Sequence, residues 1–253
     1  MSIVHIHPKY EHLKAELLEC ITHFNTTGTY ITKGERNVIK RFAVANETIN
    51  IKSFKTPKAF NSVVYKHLRK SKARRSFEYA KRLTEANILT PFPIAYIENT
   101  NAVGLKSSYY ISKHVNYDLD FRVLIHNPLY PERDTILKQF TAFTYKLHEH
   151  KINFLDHSPG NTLIVKNDTR YDFYLIDLNR MRFETMSLSK RMDNLKRLWL
   201  SKKMIRIIAE EYASLSGESF DNVYNLLLES SKQFKLKINR KKRFKRKYLK
   251  KKK

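Results

Sequence analysis

Cys20 is the only cysteine in the sequence, so no internal disulfide can form and no cysteine-rich zinc centre can be built. That fits a reducing compartment, and the cytoplasm is the expected location. Nowhere do 18 apolar residues run without a charge, and the opening MSIVHIHPKYEH lacks the continuous apolar stretch of a secretion signal. No membrane-spanning segment is expected. No internal repeat occurs, and no Pro/Gly/Ser-rich linker divides the chain. Acidic residues are scarce: 24 Asp and Glu stand against 49 Lys and Arg, for a net charge of +25. From Lys232 to Lys253 there are 14 basic residues and no acid, which leaves +11 for the rest. A second basic cluster, Lys66, Arg69, Lys70, Lys72, Arg74 and Arg75, lies well inside the folded part. Both point to a polyanionic partner, whether nucleic acid, an anionic membrane surface or a phosphorylated glycolipid.

With 42% hydrophobic residues over 253 positions, the chain can bury a core sufficient for one two-lobed unit or two small domains. Asn37 to Phe42 and Glu47 to Phe54 alternate as antiparallel strands around a turn near Val44 to Asn46. Ser76 to Asn87 reads as a helix with Phe77, Ala80 and Leu83 on one side. Strands follow at Ile94 to Glu98 and Ser107 to Val115. The pattern then turns helical: Glu132 to His148, with Ile136, Leu137, Phe140, Phe143 and Leu147 as core positions, then Lys190 to Leu215 and Phe220 to Lys232. The order predicts an α+β fold with a sheet-rich first lobe (1–115), a helical second lobe (116–232) and a cleft between them. Residues 233–253 read as a solvated, disordered basic tail.

The most informative stretch is Phe154-Leu155-Asp156-His157-Ser158-Pro159-Gly160-Asn161, followed by apolar Leu163 to Val165 and then Tyr174-Leu175-Ile176-Asp177-Leu178-Asn179. An Asp, an Asn five residues later and a second Asp closing an apolar strand suit nucleotide-dependent phosphoryl transfer. Asp156 would orient and deprotonate the attacking hydroxyl, while Asn161 and Asp177 would hold Mg²⁺ against the phosphates of ATP. An Asx turn before a strand is the plainer explanation of Asp156 and Asn161 taken alone. His148, His150 and His157 surround Asp156, but no further ligands complete a metal cluster around them.

This run resembles the catalytic loop and metal-binding Asp of the protein-kinase-like superfamily, D-x-x-x-x-N followed by D-x-x. Phe154 stands where protein kinases usually carry His, and Leu178-Asn179 replace Phe-Gly, which argues against a regulated protein kinase. The resemblance implies a bilobal kinase-like fold and two further residues. Ile49-Asn50-Ile51-Lys52 is similar to V-A-I-K, with Lys52 as the nucleotide lysine and Lys55, of opposite strand parity, second. Glu78, the only acid between Lys52 and Arg82, would hold that lysine. No G-x-G-x-x-G is present; backbone amides near Gly34, helped by Arg36, would cover the phosphates instead. Asp193 resembles the helix Asp that braces the catalytic loop, with a solvated helix acid as the alternative.

Within the superfamily the chain resembles the bacterial lipopolysaccharide core (Kdo/heptose) kinases, through Ile51 to Lys55, Arg74 to Ala80, Ile88 to Ala95 and Lys190 to Leu198. That resemblance implies an ATP- and Mg²⁺-dependent transfer to a lipid-linked core sugar at the cytoplasmic face of the inner membrane, with the basic tail on the anionic surface. A kinase of another small acceptor, a non-catalytic kinase fold or a basic RNA-binding protein are the alternatives. The absence of aromatic RNP-type motifs makes nucleic acid the weaker partner.

Overall fold

The computed structural model describes residues 2–34, 37–55, 70–102 and 104–249. The chain forms two compact units. The first runs to Asn116 and takes in Asp177–Asn179; the second comprises Tyr117–Ile176 and the residues from Arg180 onward.

The first unit is built on six antiparallel strands: β1 (Ser2–Ile6), β2 (Thr29–Lys33), β3 (Asn37–Val44), β4 (Glu47–Phe54), β5 (Pro93–Thr100) and β6 (Leu105–Lys113). Their spatial order is β1-β5-β6-β4-β3-β2. Among the described residues two helices lie on the sheet, α1 (Lys14–Thr22) and α2 (Lys72–Glu85). Alternation along β4 decides which side chains meet which helix. Ile49 and Ile51 are fully buried with Leu13, Leu17 and Phe24 from the α1 side. Phe54, of the opposite parity, packs with Ala73 and Phe77 of α2. Lys52 shares that parity and so emerges on the α2 side.

Lys40 breaks the apolar register of β3. It is 2% exposed, on the same face as the buried positions Phe42 and Val44. Its Nζ donates to the carbonyls of Phe24 (2.7 Å), Asn25 (3.2 Å) and Thr27 (2.8 Å), so all three ammonium protons are used and the loop after α1 is closed. Gly28 completes that loop at φ +79°, where a Cβ would lie 2.5 Å from the Phe42 ring.

In the second unit, β7 (Leu119–Asp120) joins the hairpin of β9 (Thr162–Asn167) and β10 (Arg170–Leu175), while β8 (Ile152–Phe154) pairs with β11 (Met181–Phe183). The helices are α3 (Phe121–His126), α4 (Arg133–Glu149), α5 (Leu188–Leu195), α6 (Lys202–Ser216) and α7 (Phe220–Leu249). α4 buries Ile136, Leu137, Phe140, Thr144 and Leu147, a stripe at helical spacing.

Two expectations change. The helix expected over Lys190 to Leu215 is broken: a 3₁₀ turn (Lys196–Leu198) and Trp199 at φ +59° end α5, and Ser201 starts α6 by accepting a bond from Met204 N. The segment from residue 233, expected to be irregular, continues α7 as helix to Leu249. It is anchored by its inner face. Lys235 Nζ donates to Leu200 O at 2.7 Å, Phe234 packs edge-on against Trp199, and Lys242 lies 6.0 Å above the Trp199 ring. Among the described residues no helix is long and apolar enough to cross a membrane.

Candidate active site

In the first unit, β4 presents Lys52 with its side chain 13% exposed, and Nζ donates to Asp177 Oδ1 at 2.6 Å. Those residues lie 125 positions apart in the chain. Asn179 Nδ2 donates to the same oxygen at 2.6 Å, and Arg75 of α2 donates to the Asn179 carbonyl at 2.9 Å. The 177–179 turn is thus tied to both β4 and α2. Asp177 itself adopts φ +60°, a left-handed conformation that costs a non-glycine residue energy and is concentrated at functional sites.

The Lys52–Glu78 pair expected from the sequence is not formed. Glu78 is held instead by Lys70 (2.7 Å) and by Arg74 (2.9 Å), one helical turn before it. Burial pushes the Glu78 carboxyl up, but the bonds from Lys70 and Arg74 outweigh it and leave the pKa lowered. Lys52 has Asp177 as its partner. The Gly34 amide is also engaged: it donates to Asn37 O at 3.1 Å. Arg36, with Lys66 and Arg69 of the basic cluster, lies outside the described residues.

In the second unit, the loop after β8 is wound tightly around Asp156. Its carbonyl accepts from Ser158 N (2.7 Å) and Asn161 Nδ2 (2.8 Å), and Asn161 N donates to Ser158 O (2.9 Å). Asn161 O accepts from Ile176 N at 3.0 Å, which sets Asn161 beside the residue preceding Asp177. The Asp156 carboxylate faces two arginines: Arg197 Nη1 is 2.6 Å from Oδ1 and Arg180 Nη1 is 3.6 Å from Oδ2.

A buried polar knot stands behind this loop, centred on Asn194. Its Nδ2 donates to Asn153 Oδ1 (2.8 Å) and Phe154 O (2.9 Å) on β8. Its Oδ1 lies 3.2 Å from His157 Nδ1 and 3.5 Å from His148 Nε2, and His148 Nδ1 is 2.9 Å from the Tyr212 hydroxyl. One proton arrangement satisfies every contact: both imidazoles donate to Asn194, and His148 accepts from Tyr212. Burial lowers the pKa of His148 to about 3 and that of His157 to about 4, so both rings are neutral at pH 7. The brace of the loop is therefore Asn194. Asp193, the residue the sequence suggested, turns outward to Lys196.

Sequence reasoning missed Arg180, Arg197, Asn179 and Asn194. Asp193 and Asn194 border the Leu188, Met192 and Leu195 stripe of α5 from opposite sides, so helical periodicity does not choose between them. The arginines belong to segments whose positive charge is everywhere, and nothing marks them out.

A comparison with curated proteins finds no significant match. Among solved structures, one described as WaaP in complex with acyl carrier protein aligns with a TM-score of 0.64, covering 91% of this chain and 97% of that one at 14% identity. At that identity the likeness speaks for the fold, which is protein-kinase-like. The model of the lipopolysaccharide kinase (Kdo/WaaP) family matches residues 34–217, a span that takes in Lys52, Asp156, Asn161 and Asp177. With most of its length matched, the chain belongs to the lipopolysaccharide kinase (Kdo/WaaP) family.

Proposed function

We propose that this protein transfers the γ-phosphoryl group of ATP to a sugar hydroxyl of the lipopolysaccharide inner core, on Kdo or a heptose, with Mg²⁺ as the metal. The observation that carries the reading is the Lys52–Asp177 contact, which joins the strand lysine to the strand-ending Asp across 125 residues. The donor set fits a hard cation. Asn161 spends its amide nitrogen on the Asp156 carbonyl, leaving Oδ1 for a metal, and both bonds to Asp177 fall on Oδ1, leaving Oδ2. Mg·ATP supplies the electrophilic phosphorus and neutralises the charge on the phosphates. Lys52 would bind phosphate oxygens when it leaves Asp177. Asp156 orients the sugar hydroxyl and takes its proton as the new O–P bond forms and the bond to ADP breaks.

Strand parity gives the test. Lys52→Met is expected to reduce turnover by about 10²-fold or more, as loss of a charge-stabilising donor does, while Lys55→Met stays near wild type. Lys55 lies beyond the end of β4 and is exposed. Steady-state assays of both variants check this, and a sensitive Lys55 beside a tolerant Lys52 would refute the assignment.

The acceptor is lipid-linked, and α7 offers a way to reach it. Arg240, Lys241, Arg243 and Lys245 are exposed on this helix, together with Leu236 and Phe244. A basic surface with apolar side chains suits the anionic face of a bilayer, where each cation contributes roughly 1 kcal/mol. We place the protein at the cytoplasmic surface of the inner membrane on that ground. Replacing those four cations by Gln is expected to weaken co-sedimentation with phosphatidylglycerol vesicles by up to about 10³-fold, as high salt does. Unchanged sedimentation would remove the membrane role. Point substitutions are the right tool, since removing residues 233–253 would also strip Phe234 and Lys235 from the turn that bears Arg197.

A further inference from the structure

Arg197 sits in the 3₁₀ turn between α5 and α6, and α7 holds that turn in place. The Arg197 guanidinium lies 5.8 Å over the Phe234 ring, the same ring that packs on Trp199. Lys235 binds the carbonyl of Leu200 and Lys242 covers Trp199. A guanidinium fixed in this manner loses little freedom on binding a ligand, and its planar fork suits a carboxylate. Its one hydrogen bond among the described residues is the 2.6 Å contact from Nη1 to Asp156 Oδ1, and its side chain is 35% exposed. Arg180, 56% exposed, stands by the other oxygen. Two guanidinium groups therefore share one carboxylate, leaving positive charge uncompensated beside the group that must accept the hydroxyl proton.

Resting on the phosphotransfer role of Asp156, we propose that Arg197, assisted by Arg180, is the specificity-determining residue of the acceptor site and binds a carboxylate carried by the acceptor sugar. Asp156 occupies in the resting protein the place that the sugar's carboxylate takes on binding. The incoming anion pairs with the guanidinium, and Asp156 turns to the hydroxyl. Of the two acceptors proposed above, Kdo carries such a carboxylate and a heptose does not, so the acceptor is the acidic sugar. α7 contributes through Phe234, which backs the guanidinium.

The chain contains a single tryptophan, Trp199, two residues from Arg197, so its fluorescence reports on this site alone. Free Kdo and its uncharged methyl ester are titrated into the full-length protein without nucleotide. The wild type is expected to bind the acid at least tenfold more tightly than the ester. Arg197→Ala is expected to lose that preference, and Arg197→Lys, which keeps the charge without the fork, to retain part of it. In transfer assays, KM for a Kdo-bearing acceptor should rise at least tenfold in Arg197→Ala while KM for ATP holds. Equal binding of acid and ester by the wild type, or an undiminished preference in a folded Arg197→Ala protein, would overturn the proposal. The titration needs no turnover. Selective binding without transfer would therefore count against the kinase reading and for this site, and transfer without selectivity the reverse.

Discussion

Asp156→Asn is expected to lower turnover by roughly 10² to 10⁴-fold while leaving ATP binding intact, the loss typical of a positioned general base. The substitution keeps the shape of the side chain and an oxygen for Arg197, and the loop survives because its bonds run through the Asp156 carbonyl. What disappears is the capacity to take a proton from the sugar hydroxyl. Because Asn161 and Asp177 stay in place, nucleotide titration should match the wild type. Near-normal turnover of the purified variant would remove Asp156 from the reaction.

Asn194→Leu is expected to lower stability by about 3 to 5 kcal/mol, because it leaves Asn153, the Phe154 carbonyl and two buried imidazoles without the partner they share. For a chain of this size that is a fall in melting temperature of roughly 10 °C. Asp193→Ala serves as the contrast. Its side chain is 50% exposed and among the described residues pairs only with Lys196, so the change should cost less than about 0.5 kcal/mol. Thermal denaturation of the two variants side by side decides between them. A larger loss at Asp193 would return the bracing role to that position.

Periodicity made much of the architecture legible. Ile49 and Ile51 announce the buried face of β4 and thereby the direction of Lys52, and the α4 stripe from Ile136 to Leu147 is helical on sight. Where tertiary contacts overrule local pattern, reading failed. Lys40 occupies an apolar register because three carbonyls from a distant loop receive it, which no local rule foresees. The end of α5 depends on Trp199 adopting a left-handed conformation, and a tryptophan carries no such signal. The basic run after residue 232 lacks apolar periodicity, yet it stays helical where Phe234, Lys235 and Lys242 find partners on the 196–200 segment.

The site follows the same division. Asp156, Asn161 and Asp177 stand out by spacing, and Lys52 by strand parity. Glu78 was singled out by elimination among acids, an argument blind to the Lys70 and Arg74 that claim it. Arg197 is one cation among 49 Lys and Arg, and only its 2.6 Å approach to Asp156 distinguishes it.

The central claim is tested most directly by incubating the purified protein with γ-labelled ATP, Mg²⁺ and lipid A carrying Kdo, and measuring label transferred to the glycolipid. The account predicts phosphorylation of a Kdo hydroxyl that requires Mg²⁺ and is reduced at least about 10²-fold in Asp156→Asn. A folded, ATP-binding wild type that transfers no phosphate to this glycolipid or to its heptose-extended form would contradict it.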